Sequence, residues 1–320
     1  MSTNDELALL LQVSRLYYEN DQIQEEIASA LGLSRPKVSR LLQQAREQGI
    51  VQITIRDPLV TDAVLSQQLV QAFGLQAAVV VPAGPAWVNR SLGQAAAHYL
   101  AKSLQDGDTI GIGWGRTLNE VVGALRRRER QAHVHVLPLI GGLGQVSPSF
   151  QVNELAQRLA TAFGGTWQCL YAPAILESQE ALNALAAQPD IQRITERWSH
   201  LKFALVGIGN SDFHSEVRVL FVDYLRHEVQ EALRAAGAAG DICVRFFNRD
   251  GQPCPPAIPI LGIDLAQLRA IDQVIAVAGG ASKTDAILGA LRGGYIHVLI
   301  TDTVAAQGIL QHLAQESTTR

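Results

Sequence analysis

Thr109-Ile-Gly-Ile-Gly-Trp-Gly-Arg-Thr117 is an apolar, strand-like run that ends in spaced glycines and passes into a segment, residues 118–128, with amphipathic helical spacing. A strand that leaves through glycines into a helix is the unit from which open α/β sheets are built. Further strand-like runs lie at 77–81, 134–140, 167–171, 203–208, 242–247, 273–278 and 297–301. Helix-like stretches at 91–104, 152–163, 225–236 and 284–291 fall between most of them. This alternation predicts an α/β domain over residues 76–320: a Rossmann-like, mainly parallel sheet covered by helices on both faces.

Upstream the character changes. Residues 5–19, 22–31 and a third segment stopping at Gly49 carry apolar side chains at helical spacing, the first on Leu7, Leu10, Leu11, Ser14 and Tyr17. A tight turn, Gly32-Leu33, separates the second from the third, Ser34 stands as N-cap and Pro36 falls in the first turn. Residues 50–56 alternate with period two as a short wing-like strand before Asp57-Pro58 breaks the chain. Residues 1–56 therefore read as a helix-turn-helix domain, 57–75 as a linker helix and 76–320 as the large domain.

A chain of 320 residues, 48% hydrophobic and 18% charged, has room for about two domains and a core that needs neither disulfide nor metal. The net charge of −4 excludes a uniformly basic coat, so any DNA contact must be local. Cys169, Cys243 and Cys254 stand far apart with no CxxC or Cys/His pairing, which points to a reducing cytoplasm and away from zinc. No apolar run approaches the roughly eighteen residues of a membrane helix, so a soluble cytoplasmic protein with no membrane partner is expected.

Charge is unevenly placed. Between Ile27 and Arg46 stand Arg35, Lys37, Arg40 and Arg46, and no carboxylate. At 100° per residue, Val38, Leu41, Leu42 and Ala45 share one helix face and Pro36, Lys37, Arg40, Gln43 and Gln44 the opposite one. Arg and Lys suit guanine edges and phosphates, and Gln pairs with adenine. The expected DNA-binding set is Ser34, Arg35, Lys37, Ser39, Arg40 and Gln44, with double-stranded DNA as partner. The plain alternative is a helical bundle with a solvated basic face; the turn spacing, the Ser-x-Pro start and the acid-free run favour DNA.

Two glycine-rich junctions follow strands: Gly111 to Thr117, and Gly279-Gly-Ala-Ser-Lys-Thr284. The first lacks the dinucleotide pattern, because its third glycine comes one residue early and the next strand ends at Gly141-Gly142 without an acid. The second lacks the glycine that a nucleotide-binding P-loop places before its lysine, Ser282 standing there instead. What fits is a smaller anion such as a phosphate monoester, cradled by backbone N–H groups from Gly113 to Thr117, with Arg116, the Thr117 hydroxyl and Lys283 beside the N-cap Ser282. One such loop is as readily a structural turn as a site; two in one domain favour the site. Asp241, Asn210 and Gln145 suit polyol recognition, and Gly142 lies in another loop at a strand end. His133 and His135 have no third ligand and read as ordinary surface or packed histidines. The arginine run 126–130 reads as a solvated helix end.

The motifs Ile27-Ala-Ser-Ala-Leu-Gly-Leu-Ser-Arg-Pro-Lys-Val-Ser-Arg-Leu-Leu42, Gly111-Ile-Gly-Trp-Gly-Arg-Thr117, Val206-Gly-Ile-Gly209, Gly237-Ala-Ala-Gly-Asp241, Gly279-Gly-Ala-Ser-Lys-Thr-Asp-Ala-Ile287 and Ala290-Leu-Arg-Gly-Gly-Tyr-Ile296 together resemble the SorC family of bacterial sugar-responsive transcriptional regulators. The resemblance covers essentially the whole chain. It implies a domain like a sugar-phosphate isomerase or glucosamine-phosphate deaminase turned into a sensor. Gly113, Gly115, Arg116, Thr117 and Lys283 would hold a phosphate and Asp241 a sugar hydroxyl, with no other cofactor. It also implies a homo-oligomer, commonly a tetramer built as a pair of DNA-binding dimers. Phe246-Phe247-Asn248 departs from the Phe-Phe-Asp usual there, which removes a carboxylate near the effector.

The expected function is an effector-gated regulator, the commoner form being a repressor, of a sugar or polyol operon. The alternative is a sugar-phosphate isomerase or deaminase whose N-terminal helices serve assembly. Such an enzyme needs a base at the sugar carbons, and the sequence offers Asp241 without a paired acid.

Overall fold

The computed structural model describes residues 3–18, 20, 22–51, 61–82, 84, 87–125, 132–144, 148–211, 225–255 and 258–318. The wing beyond Val51, the arginine run 126–130 and Gln145 lie outside them. The chain forms two compact units, Met1–Asp57 and Pro58–Arg320.

The smaller unit consists of α1 (Thr3–Tyr18), α2 (Gln24–Leu31) and α3 (Arg35–Glu47). Leu10, Val13, Ile27, Val38, Leu41, Leu42 and Ala45 form its core. The buried stripe of α1 runs through Leu10, Val13 and Ser14, whereas Leu7 and Leu11, expected inside, are 44% and 41% exposed. The apolar residues of α1 are wider than the face α3 covers, and helical periodicity alone does not choose between adjacent stripes.

The larger unit runs α4 (Ala63–Phe73), β1 (Ala77–Val81), α5 (Val88–Ser103), β2 (Thr109–Ile112), α6 (Arg116–Ala124), β3 (His135–Pro138), α7 (Val152–Ala162), β4 (Thr166–Trp167), α8 (Gln179–Ala186), α9 (Pro189–Thr195), β5 (Phe203–Gly207), β6 (Gly209–Asn210), α10 (His227–Ala235), β7 (Ala238–Ile242), β8 (Arg245–Asn248), α11 (Leu265–Arg269), β9 (Gln273–Val277), α12 (Thr284–Arg292), β10 (Val298–Asp302) and α13 (Thr303–Thr318). Seven strands form one sheet in the order β1-β10-β9-β5-β2-β3-β4, with every pairing parallel. All five residues of β10 are buried, as a strand covered on both faces requires.

The strand order places the site. From β2 the chain moves outward to β3 and β4, while β5, β9 and β10 step away in the opposite direction. The order therefore reverses between β2 and β5, and the loops leaving their carboxyl ends flank the crevice where open α/β sheets take their ligands.

Three expectations are corrected. The linker helix, α4, belongs to the larger unit: it packs on β1 and α13, buries Leu69 completely, and is capped by Asp62, which accepts from Leu65 N–H at 3.0 Å. The run 242–247 is not a strand of the main sheet but the tip of a hairpin, with Ile242 opposite Arg245 in the antiparallel sheet β6-β7-β8. Its two turn residues, Cys243 and Val244, have φ of 51° and 63° without being Gly or Asn, so no turn signal marked them. The strand expected over 167–171 shrinks to Thr166–Trp167, because at this sheet edge only β3 is available to pair with it.

Candidate DNA interface and effector site

On α3 the division of faces is as the 100° rotation predicts. Val38, Leu41, Leu42 and Ala45 are buried, and Arg35, Lys37, Ser39 and Arg40 are exposed; Gln44 is half-buried. Ser34 occupies the N-cap position with extended backbone, but its hydroxyl makes no cap bond and stays exposed. Arg35 Nε reaches Glu25 Oε1 on α2 at 2.9 Å, a pairing that the acid-free run did not foresee. Both partners are well exposed, so the pair contributes little and leaves the guanidinium free to exchange it for a phosphate. Arg40 Nε donates to Pro36 O, one turn back on the same helix, at 3.3 Å.

In the larger unit, α6 begins at the carboxyl end of β2. Gly115, at its N-cap, has φ 120°, a conformation that an L side chain would strain. The N–H groups of Arg116 and Thr117 have no acceptor among the described residues, as at any first helical turn. Arg116 is exposed, and the buried Thr117 hydroxyl donates to Asn89 Oδ1 at 3.2 Å. Gly113, expected among the anion donors, is engaged elsewhere: its N–H donates to Leu205 O at 2.9 Å and continues the β2–β5 ladder. Gly142 is likewise taken up, donating to Ala172 O and accepting from Ala174 N–H, each at 2.8 Å. Both glycines are scaffold.

Opposite this loop, Lys283 Nζ donates to Ile208 O at 2.7 Å, at the end of β5. Burial draws the ammonium down to a pKa of about 8, Asp241 works against that, and Arg116 adds to it. Asp241 is 4% exposed; Oδ2 accepts from Val244 N–H at 3.0 Å and Oδ1 has no partner among the described residues. Burial pushes its carboxyl up to about 6 against the pull of Val244 N–H and Lys283. Gly209 stands across from Asp241 in the β6–β7 register, and a Cβ there would overlap Oδ1. Arg116, Asp241 and Lys283 thus share one electrostatic neighbourhood at the reversal point of the sheet.

Lys283 itself, and not Ser282, occupies the N-cap of α12, after a single 3-10 turn Ala281–Lys283. Asn210, expected to face a polyol, donates its amide to Ser282 O at 2.9 Å. Asp302, 1% exposed, accepts from Gly280 N–H and from Val304 and Ala305 N–H at 2.8 and 2.9 Å, tying the second glycine loop to the start of α13. The sequence held a signal for it, an Asp before a helical stretch. Asn89 had none, since its partner lies 28 residues away. Asn248 accepts from Asp250 and Gln252 N–H at 3.0 and 2.9 Å, so this position serves its own turn. His133 pairs with Asp106 and His135 with Thr166, both at 2.7 Å on exposed ground.

A helix-turn-helix with a basic outer face, and an α/β unit whose reversal crevice gathers two cations, open helix N–H groups and an unpartnered carboxylate oxygen, define a ligand-responsive DNA-binding protein. Residues 57–311 match the family described as "Putative sugar-binding domain", and residues 7–61 the "Crp-like helix-turn-helix domain". The sorbitol operon regulator of Klebsiella pneumoniae is 34% identical over 317 residues, covering 97% of this chain and 100% of that protein. The crystal structure of that full-length regulator has a TM-score of 0.74 at 34% identity, over 95% of this chain and 98% of that one. The deoxyribonucleoside regulator of Bacillus subtilis is 34% identical over 310 residues, 95% of this chain and 98% of that protein. The chain belongs to the SorC family of sugar-binding transcriptional regulators. It is a DNA-binding, sugar-responsive regulator and not an enzyme, its relatives being regulators throughout their length. Among the described residues no helix is long and apolar enough to cross a membrane.

Proposed function

We propose that this protein represses a sugar or polyol catabolic operon in the cytoplasm, and that a phosphorylated sugar or polyol, bound in the β2/β5 crevice, modulates its hold on the operator. The observation that carries this reading is the pairing of Lys283 and Arg116 with the unpartnered Oδ1 of Asp241: cations for a phosphate and a buried acceptor for a hydroxyl, within one electrostatic neighbourhood. The name of the sorbitol regulator points to a polyol and that of the deoxyribonucleoside regulator to a sugar-bearing compound. A homotetramer acting as two dimers fits an operator read by α3, because dimers engage half-sites about one helical turn apart and a ligand-driven rotation removes simultaneous contact.

The test is a thermal-shift screen against sugars, polyols and their monophosphates, since a ligand that binds only the folded state raises its apparent stability. A shift from a monophosphate and not from its free form is expected. No shift from any monophosphate overturns the reading.

A further inference from the structure

We propose that Asn89 is a phosphate-contacting, specificity-determining residue of the effector crevice: Thr117 holds its carbonyl oxygen, and its amide N–H2 is the group offered to the anion. The inference rests on the crevice being the effector site.

Thr117 is the second residue of α6 and Asn89 the second of α5, and the 3.2 Å bond between their side chains joins the first turns of the two helices. One turn further on, Gly93 meets Glu120, where a Cβ would fall 2.7 Å from the Glu120 carbonyl carbon. Contacts at 89 with 117 and at 93 with 120 fix α5 and α6 as neighbours running in the same direction. Both helices follow strands of one parallel sheet, β1 and β2, so their N-termini lie together at its carboxyl edge. Two positive helix ends therefore meet where Arg116 projects, a stronger anion seat than the single loop legible in the sequence.

Donor arithmetic then separates the two side chains. Thr117 is 9% exposed and its one hydroxyl proton goes to Asn89. That hydroxyl has none left for a phosphate, so the Thr117 side chain positions Asn89 and only its backbone N–H stays open. Asn89 is exposed, its Oδ1 is fixed by that bond, and its Nδ2 has no partner among the described residues. Two amide protons thus stand at the joint N-terminus with no acceptor, which is what a phosphate oxygen supplies.

The experiment compares wild type, Asn89→Asp and Asn89→Ala by thermal shift and titration calorimetry. The probes are a hexitol 6-phosphate, a hexose 6-phosphate and a pentose 5-phosphate, each with its free sugar or polyol. Asn89→Asp still accepts the Thr117 proton but replaces N–H2 by a charged oxygen. It is expected to weaken the best monophosphate at least tenfold and to leave the free form within about twofold. The empty protein is expected to melt at the wild-type temperature or above it, because a carboxylate suits two helix N-termini. Asn89→Ala should fall between the two. The carboxylate of Asn89→Asp also repels the anion whatever the amide does, so the uncharged Asn89→Ala decides: monophosphate affinity equal to wild type there overturns the assignment while the crevice reading stands. A wild type that binds none of the monophosphates overturns both.

Discussion

Arg40 and Lys283 stand for the two halves of the proposed function, and each has a partner set that makes its removal informative. Arg40 is exposed on α3, outside its buried face, so Arg40→Ala should weaken specific operator binding by about 1–3 kcal/mol in a mobility-shift titration and leave ligand-induced thermal shifts unchanged. Unchanged operator affinity would remove Arg40 from the reading face. Lys283→Ala takes a buried ammonium from the crevice. Calorimetry should find a monophosphate weakened by roughly ten- to a hundredfold and its free sugar far less; equal losses would place Lys283 away from the phosphate. Asp241 is a question of pH. Its folded-state pKa, about 6, lies above the ordinary carboxyl value, so the stability it contributes is complete below about pH 4 and is lost as pH rises through 6. Asp241→Asn does not titrate. Its stability relative to wild type should therefore rise by on the order of 2 kcal/mol between pH 4 and pH 7 in denaturant melts. A pH-independent difference would mean that Asp241 is not buried as a carboxylate.

At the scale of elements, the close approach of α5 and α6 predicts its own failure. Gly93→Ala puts a methyl against the Glu120 backbone and must push the helices apart, costing about 1–3 kcal/mol of unfolding free energy. Because the same packing holds Asn89 near Thr117, monophosphate affinity should fall in the same variant; intact affinity in a destabilised protein would separate the helix pair from the site. Elements are also where the sequence was read best and worst. The strands β1, β2, β5, β9 and β10 were legible because each is a short apolar run followed by glycine, a turn or a helical pattern. The β7–β8 hairpin was not, since Ile242 to Phe247 is almost continuously apolar and its turn residues are Cys and Val. The glycine junctions announced a site, but which backbone donors remained open was not legible. Leu205 O and Ala172 O, which occupy Gly113 and Gly142, come from strands and loops distant in sequence.

For the whole molecule, the division at Asp57/Pro58 predicts that residues 58–320 fold alone. The solved sugar-binding domain of a Vibrio fischeri repressor, aligned over 79% of this chain and 100% of its own length, is a unit of that kind studied by itself. The isolated unit should melt cooperatively, show the same ligand-induced thermal shift as the full chain, and have no operator affinity. Retained DNA binding would contradict the assignment of α3.

Cys243 and Val244 hold left-handed backbone that disfavours both residue types, at a cost on the order of 1 kcal/mol each, and Asp241 Oδ2 is the clasp on that turn. The carboxylate whose other oxygen is proposed to meet the ligand is therefore pleiotropic. Any mutation at position 241 also releases the hairpin, so natural selection for a new ligand has little room there. Drift in specificity is channelled to positions whose side chains answer to the ligand alone, and the paralogues of this protein should differ around Asp241 while keeping it.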